Sequence, residues 1–160
     1  MTRLNKITPC LWFDTDAEEA ANFYVGLFDN SRILRIRHFG PSGPRPADLV
    51  MTVDFEIDGQ QLTALNGGPE LTFSEAVSLQ VICDGQEESD HYWSELGKGG
   101  EEGQCGWLKD RFGFSWQVFP ADLDDLLADP DPGRAARAME SMLKMDRIDL
   151  AEVRRAADAA

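Results

Sequence analysis

The sequence predicts an α+β chain made of two repeated units and a helical tail. The order strand, helix, strands occurs twice, at about 70 residues per unit. Its strands are marked by two-residue alternation and its helices by apolar residues three and four apart. After Pro120 the strand pattern stops and helical patterns take over.

Ile7 to Phe13 reads as the first strand, with Pro9 marking an edge or a strand start. Asp14, Thr15 and Asp16 offer caps for a helix from about Ala17 to Phe28, whose Ala20, Ala21, Tyr24 and Leu27 have helical spacing. Ser31 to Phe39 is a second strand, and Gly40 to Ala47 is a Pro- and Gly-rich loop. In Leu49 to Ile57, Met51, Val53, Phe55 and Ile57 alternate with Thr52, Asp54 and Glu56. Asp58-Gly59 is a tight-turn signal, and Gln61 to Asn66 completes the hairpin before Gly67-Gly68-Pro69. The order then restarts with a strand at Val77 to Cys83, a helix at Glu87 to Leu96 and a glycine-rich connection at Gly97 to Gly103. Beyond Asp129-Pro130-Asp131-Pro132-Gly133, helices are predicted at Arg134 to Met145 and, capped by Asp149, through about Ala157. The predicted organisation is one domain over 1–120, with modules at about 1–70 and 75–120, and a helical arm over 121–160.

The chain has 160 residues, 42% apolar and 28% charged, which is the composition of a globular protein. A net charge of −14, spread along the chain, argues against nucleic acid as a partner. No apolar run approaches the roughly 20 residues of a membrane helix, and the N-terminus lacks a signal-peptide pattern, so a cytoplasmic protein with no membrane partner is expected. The 3 cysteines, Cys10, Cys83 and Cys105, have neither disulfide nor zinc spacing and read as small apolar residues. His38 and His91 read as lone surface residues.

The richest segment is Cys105 to Pro120, CGWLKDRFGFSWQVFP. Trp107 and Trp116 flank a turn of Lys109 to Gly113, and Phe114, Trp116 and Val118 alternate with Ser115, Gln117 and Phe119. The pattern sets Gln117 on the opposite face from Trp116 and Val118, which are expected to pack on a helix. Asp110 and Arg111 are expected to fix the turn by hydrogen bonds.

This segment, with LNGGP at Leu65 to Pro69 and ITPCLWFDTDAEEAANFY at Ile7 to Tyr24, resembles the PhnB-like branch of the glyoxalase/bleomycin-resistance/dioxygenase superfamily. The similarity covers nearly the whole chain. It implies two βαβββ modules forming a U-shaped mixed sheet around a pocket. Metal-dependent members hold a divalent ion with His and Glu on the first and last strands of each module. The corresponding positions here are about Thr8, Leu62, Ser78 and Gln117, which are poor metal ligands, so neither metal nor cofactor is expected. The expected ligand-binding residues are Thr8, Cys10, Trp12, Asn66, Ser78, Gln80 and Gln117, with Ala64 beside them.

Many such chains carry the label 3-demethylubiquinone-9 3-methyltransferase. Gly99-Gly100 follows a helix and Gly67-Gly68 ends in Pro69, so neither is the Gly-rich strand-to-helix turn of a cofactor-binding wound sheet. The expected function is small-molecule binding with no assigned ligand and no assigned catalytic residue. The alternative is a lyase, isomerase, dioxygenase or the labelled methyltransferase-type enzyme. A homodimer is expected, because a U-shaped sheet leaves edges and a concave face to cover.

Overall fold

The computed structural model describes residues 5–159. The chain divides into two compact units, Met1–Thr72 and Phe73–Ala160. The first contains β1 (Cys10–Phe13), α1 (Ala17–Leu27), β2 (Arg32–His38), β3 (Val50–Ile57) and β4 (Gln60–Asn66). The second contains β5 (Ser78–Cys83), α2 (Gln86–Gly97), β6 (Glu101–Glu102), β7 (Trp107–Lys109) and β8 (Ser115–Pro120), followed by α3 (Asp122–Leu127), α4 (Pro132–Met142) and α5 (Leu150–Asp158). Both modules are βαβββ. Their four-stranded mixed sheets have the same order, β1-β4-β3-β2 and β5-β8-β7-β6, with one parallel pair each.

In the first module the apolar alternation faces α1. Leu11, Phe13, Val53, Phe55, Ile57, Leu62 and Ala64 are buried with Ala17, Ala20, Ala21 and Tyr24 of the helix. The helix start is held by Asn66 at the end of β4. Its Oδ1 accepts from Ala17 N–H and its Nδ2 donates to the Val50 carbonyl, both at 2.9 Å. Asp16 makes no side-chain cap bond, so this cap comes from a distant strand and not from the local Asp-Thr-Asp run. Gly67 follows because a Cβ there would lie 2.3 Å from the Trp12 ring.

In the second module α2 packs on β5, β7 and β8, burying Trp93 and Leu96 with Leu108, Trp116 and Val118. The Trp hairpin turns on Asp110, which is 2% exposed. Its Oδ1 accepts from the N–H groups of Phe112 at 2.9 Å and Phe114 at 3.1 Å, and its Oδ2 accepts from the Trp116 indole at 2.9 Å. Gly100 is set by packing: a Cβ would sit 2.0 Å from the Lys109 carbonyl oxygen.

Three elements differ from expectation. β1 begins at Cys10 and not Ile7, because Pro9 has no N–H to donate; its carbonyl still accepts from Thr63 N–H at 2.9 Å. The glycine-rich connection contains β6, two glutamates paired with Leu108 and Lys109, too short to show a period. Asp122–Leu127 forms the short helix α3, with Leu123 inside. The helical arm has its own apolar cluster of Leu123, Ala138, Ile148, Leu150, Val153 and Ala157, seated on Phe119. Gln86, in the first turn of α2, ties the arm down, donating to the Ile148 carbonyl at 2.7 Å and accepting from Leu150 N–H at 2.8 Å.

Candidate functional site

Each sheet has one face under its helix and one face away from it. The residues away from the helix are the candidates for ligand contact. Strand register decides which residues those are.

In module two, Ser78 is level with Ser115 and Gln80 with Gln117 on β8. Across β7, Trp107 is level with Gln117 and Lys109 with Ser115. These side chains share the face opposite Trp116 and Val118. Three of the expected residues, Ser78, Gln80 and Gln117, are therefore brought together. Gln117 Nε2 donates to Ser78 Oγ at 2.9 Å. Ser115 is 1% exposed, and its Oγ has no hydrogen-bond partner among the described residues. It borders a cavity of about 170 Å³ lined also by Glu75, Glu101, Trp107 and Lys109. Lys109 Nζ lies 2.7 Å from Glu75 Oε1. That hydrogen bond and its charge raise the ammonium's pKa and lower the carboxyl's.

Ser115, Trp107 and Lys109 are absent from the expected site. The alternation assigns Ser115 to the Gln117 face, so its signal was present. Trp107 and Lys109 become their neighbours only through the β7–β8 register.

In module one, Cys10 is level with Thr63 and Trp12 with Leu65, while β3 places Asp54 level with Thr63 and Thr52 level with Leu65. This face therefore carries Cys10, Thr63 and Asp54 in one row and Trp12, Leu65 and Thr52 in the next. Thr8 lies before the strand and is partly buried. The Trp12 indole donates to the Gly68 carbonyl at 2.9 Å, which ties its polar edge to the backbone.

Asn66 and Ala64 were expected on this face and lie on the other. β4 alternates so that Leu62, Ala64 and Asn66 are buried on the α1 side while Gln61, Thr63 and Leu65 are partly exposed. The same one-residue shift applies to Leu62, which is 0% exposed beneath α1. Internal correspondence supports the corrected phase. Asn66 pairs with Phe13 as Pro120 pairs with Cys83, so the counterpart of Gln117 is Thr63.

Asp54 is the polar centre of this face. Thr63 Oγ1 donates to its Oδ1 at 2.9 Å. Arg35 Nη2 and Arg37 Nη2 donate to its Oδ2 at 3.2 and 3.3 Å. Burial pushes the carboxyl's pKa up, but the bonds from Thr63, Arg37 and Arg35 prevail and hold it below the ordinary value of 3.8. Cys10 is exposed, yet partial desolvation of its sulfur first and then the Asp54 charge push its pKa up, so it remains a thiol and a poor nucleophile at neutral pH. Burial also pushes the Cys83 thiol up, to about 11.

The open-face positions matching the metal-ligand positions are thus Thr63, Ser78 and Gln117, with Thr8 just ahead of β1. Hydroxyls and a neutral amide do not match the imidazole, carboxylate or thiolate donors that divalent metals take up. Among the described residues no group of three or more His, Cys, Asp or Glu side chains is arranged to hold a metal ion. No helix among them is long and apolar enough to cross a membrane.

The family described as 3-demethylubiquinone-9 3-methyltransferase matches residues 5–119, which leaves the helical arm outside the match. Among solved structures, the PhnB protein from Bacillus cereus is 35% identical over 73% of this chain and 100% of its own, with a TM-score of 0.68. A protein from Pseudomonas aeruginosa shares the fold at 23% identity, covering 73% of this chain and 98% of its own, with a TM-score of 0.61. The fosfomycin resistance protein FosX from Listeria monocytogenes, solved with Mn(II) and sulfate, shares it at 16% identity, covering 80% of this chain and 97% of its own, with a TM-score of 0.51. A comparison with curated proteins finds no match. The chain belongs to the family described as 3-demethylubiquinone-9 3-methyltransferase, the PhnB-like branch within the glyoxalase/bleomycin-resistance superfamily.

Proposed function

We propose that this chain binds a small molecule without a metal ion, and that Gln117, Ser78 and Ser115 are its polar contacts in module two. The supporting observation is the unpartnered, buried Ser115 hydroxyl beside the Gln117–Ser78 pair, at the edge of a cavity lined by Trp107. A buried hydroxyl without a partner forfeits about 1–3 kcal/mol, which a ligand's polar atom recovers. Gln117 Oε1 accepts from no group among the described residues, so the amide still has capacity for a ligand hydroxyl or amine. Trp107 supplies a flat apolar wall. Gln80 lies level with Gln117 and extends this contact surface. In module one, Thr8, Cys10 and Trp12 belong to a second open face, a candidate contact surface of its own.

The test is a fragment screen by thermal shift and ligand-observed NMR, repeated on Gln117→Leu and Ser115→Ala. Hits that weaken in both variants support the reading. Purified protein carrying about one metal ion per chain, with a melting temperature that rises with added Zn²⁺, Ni²⁺, Mn²⁺ or Fe²⁺, overturns it in favour of a metal-dependent enzyme.

We also propose that the chain works as a homodimer in the cytoplasm. The exposed Val77 and Ile82 at edge strand β5 suit burial against a second copy, and free thiols at Cys10, Cys83 and Cys105 suit a reducing compartment. Sedimentation of the full chain and of a truncation after Pro130 tests the dimer and the arm's part in it; a monomeric full chain overturns it.

A further inference from the structure

Strand β2, RILRIRH, carries three arginines and no acid in a chain of net charge −14. An edge strand often carries basic residues to discourage pairing with other strands. Arg35 and Arg37 do something else: both turn over the sheet face to reach Asp54 on β3. Asp54 is 9% exposed, and a carboxylate there must be desolvated, which an apolar residue would avoid. Its arrangement is specific. Thr63 occupies one oxygen and the two guanidiniums share the other, with Arg35 using both Nε and Nη2.

Two guanidiniums against one carboxylate leave a local charge of about +1. Arg35 Nη1 and both Nε and Nη1 of Arg37 have no partner among the described residues. Thr52, level with Arg37 and on the face of Asp54, holds a buried Oγ1 that likewise has none. Preoriented guanidinium donors, one spare positive charge and an orphaned hydroxyl together form a receptor for a planar monoanion.

We propose that this face is a carboxylate-binding site: Arg35 and Arg37, oriented by Asp54, hold the carboxylate of a small-molecule ligand, and Thr52 Oγ1 donates to the same group. This rests on the small-molecule reading and gives the open face of module one a ligand class of its own, a carboxylic acid. A dianionic phosphate fits the single spare charge less well. The overall charge of the chain repels anions at long range, so recognition here is by short hydrogen bonds and not by steering.

The test is an NMR titration of the full chain with sodium acetate, against sodium chloride at matched ionic strength and sodium phosphate as a second arm. Saturable shifts with acetate at the Arg35, Arg37 and Thr52 amides and at the Arg35 Nε–H are expected, about tenfold weaker in Arg37→Gln. Thr52→Val, which leaves the Asp54 bonds intact, weakens acetate and keeps the spectrum folded, so the result does not depend on the arginine variant folding. Shifts equal to those with chloride, saturation by phosphate and not acetate, or unchanged affinity in Thr52→Val and Arg37→Gln overturn the proposal. Fragment hits at Gln117 in a protein blind to acetate leave the small-molecule reading standing and remove this one.

Discussion

The two modules share one topology and spend their buried polar groups differently. Module one places Asn66 at the last position of β4, where it joins α1 to β3. Module two has Pro120 at the matching position, and its buried polar anchor is Asp110, inside the β7–β8 turn. One anchor ties a helix to a sheet across a sequence separation of 49 residues, and the other ties a hairpin to itself. The open faces differ in the same way. Cys10, Thr63 and Asp54 occupy the row that Gln80, Gln117 and Trp107 occupy in module two. Module one thereby carries an ionic hub, and module two a neutral amide with an aromatic wall. Identical topology fixes where an open face lies and leaves its chemistry to side chains.

The sharpest way to break this comparison is Asp110→Ala. It strands two backbone donors and the Trp116 indole in a dry turn, and we expect a loss of about 3–5 kcal/mol in urea denaturation. Hydrogen exchange will show lost protection first in β7 and β8. Asn66→Ala should lose about 2–3 kcal/mol, with protection failing first at the start of α1. Exchange patterns that coincide for the two variants would mean the anchors are not local to their modules.

Asp54→Asn is expected to cost about 1–2 kcal/mol at neutral pH. The folded-state pKa of Asp54 lies below its ordinary value of 3.8. Its contribution is therefore present above that value and lost as pH falls through the lower folded value. Wild type and Asp54→Asn should converge in stability once the pH has fallen below the depressed folded-state pKa of Asp54. A gap that persists there would show that the carboxylate's charge is not what Arg35 and Arg37 respond to. Thr63→Val, which removes one bond to Asp54, is the smallest change, about 1 kcal/mol, read by the same denaturation.

Most of the fold was legible because alternation and helical spacing report which side of an element is dry. β3 and β8 could be read almost to the residue, since Val53, Phe55, Trp116 and Val118 separate cleanly from their polar neighbours. β4 defeated the reading by one residue. Its run QQLTALN offers Leu62, Ala64 and Leu65, and nothing local says whether Leu65 or Asn66 faces the helix. Asn66 is a polar residue on the buried side, justified only by α1 and Val50 arriving around it. β6 and α3 were illegible for a different reason: two residues and six residues are too short for any period.

The sequence by itself determined the two strand–helix–strand units, the helical arm, the turn role of Asp110 and the pairing of Gln117 with the face opposite Trp116. These follow from local periodicity and from short-range hydrogen bonding. Tertiary structure alone decided that Asn66 serves α1, that Thr63 and not Leu62 matches Gln117, that the Ser115 hydroxyl has no partner among the described residues, and that Arg35 and Arg37 converge on Asp54. Those facts depend on register between strands far apart in sequence, which is set by burying a whole face at once and leaves no mark at any single residue.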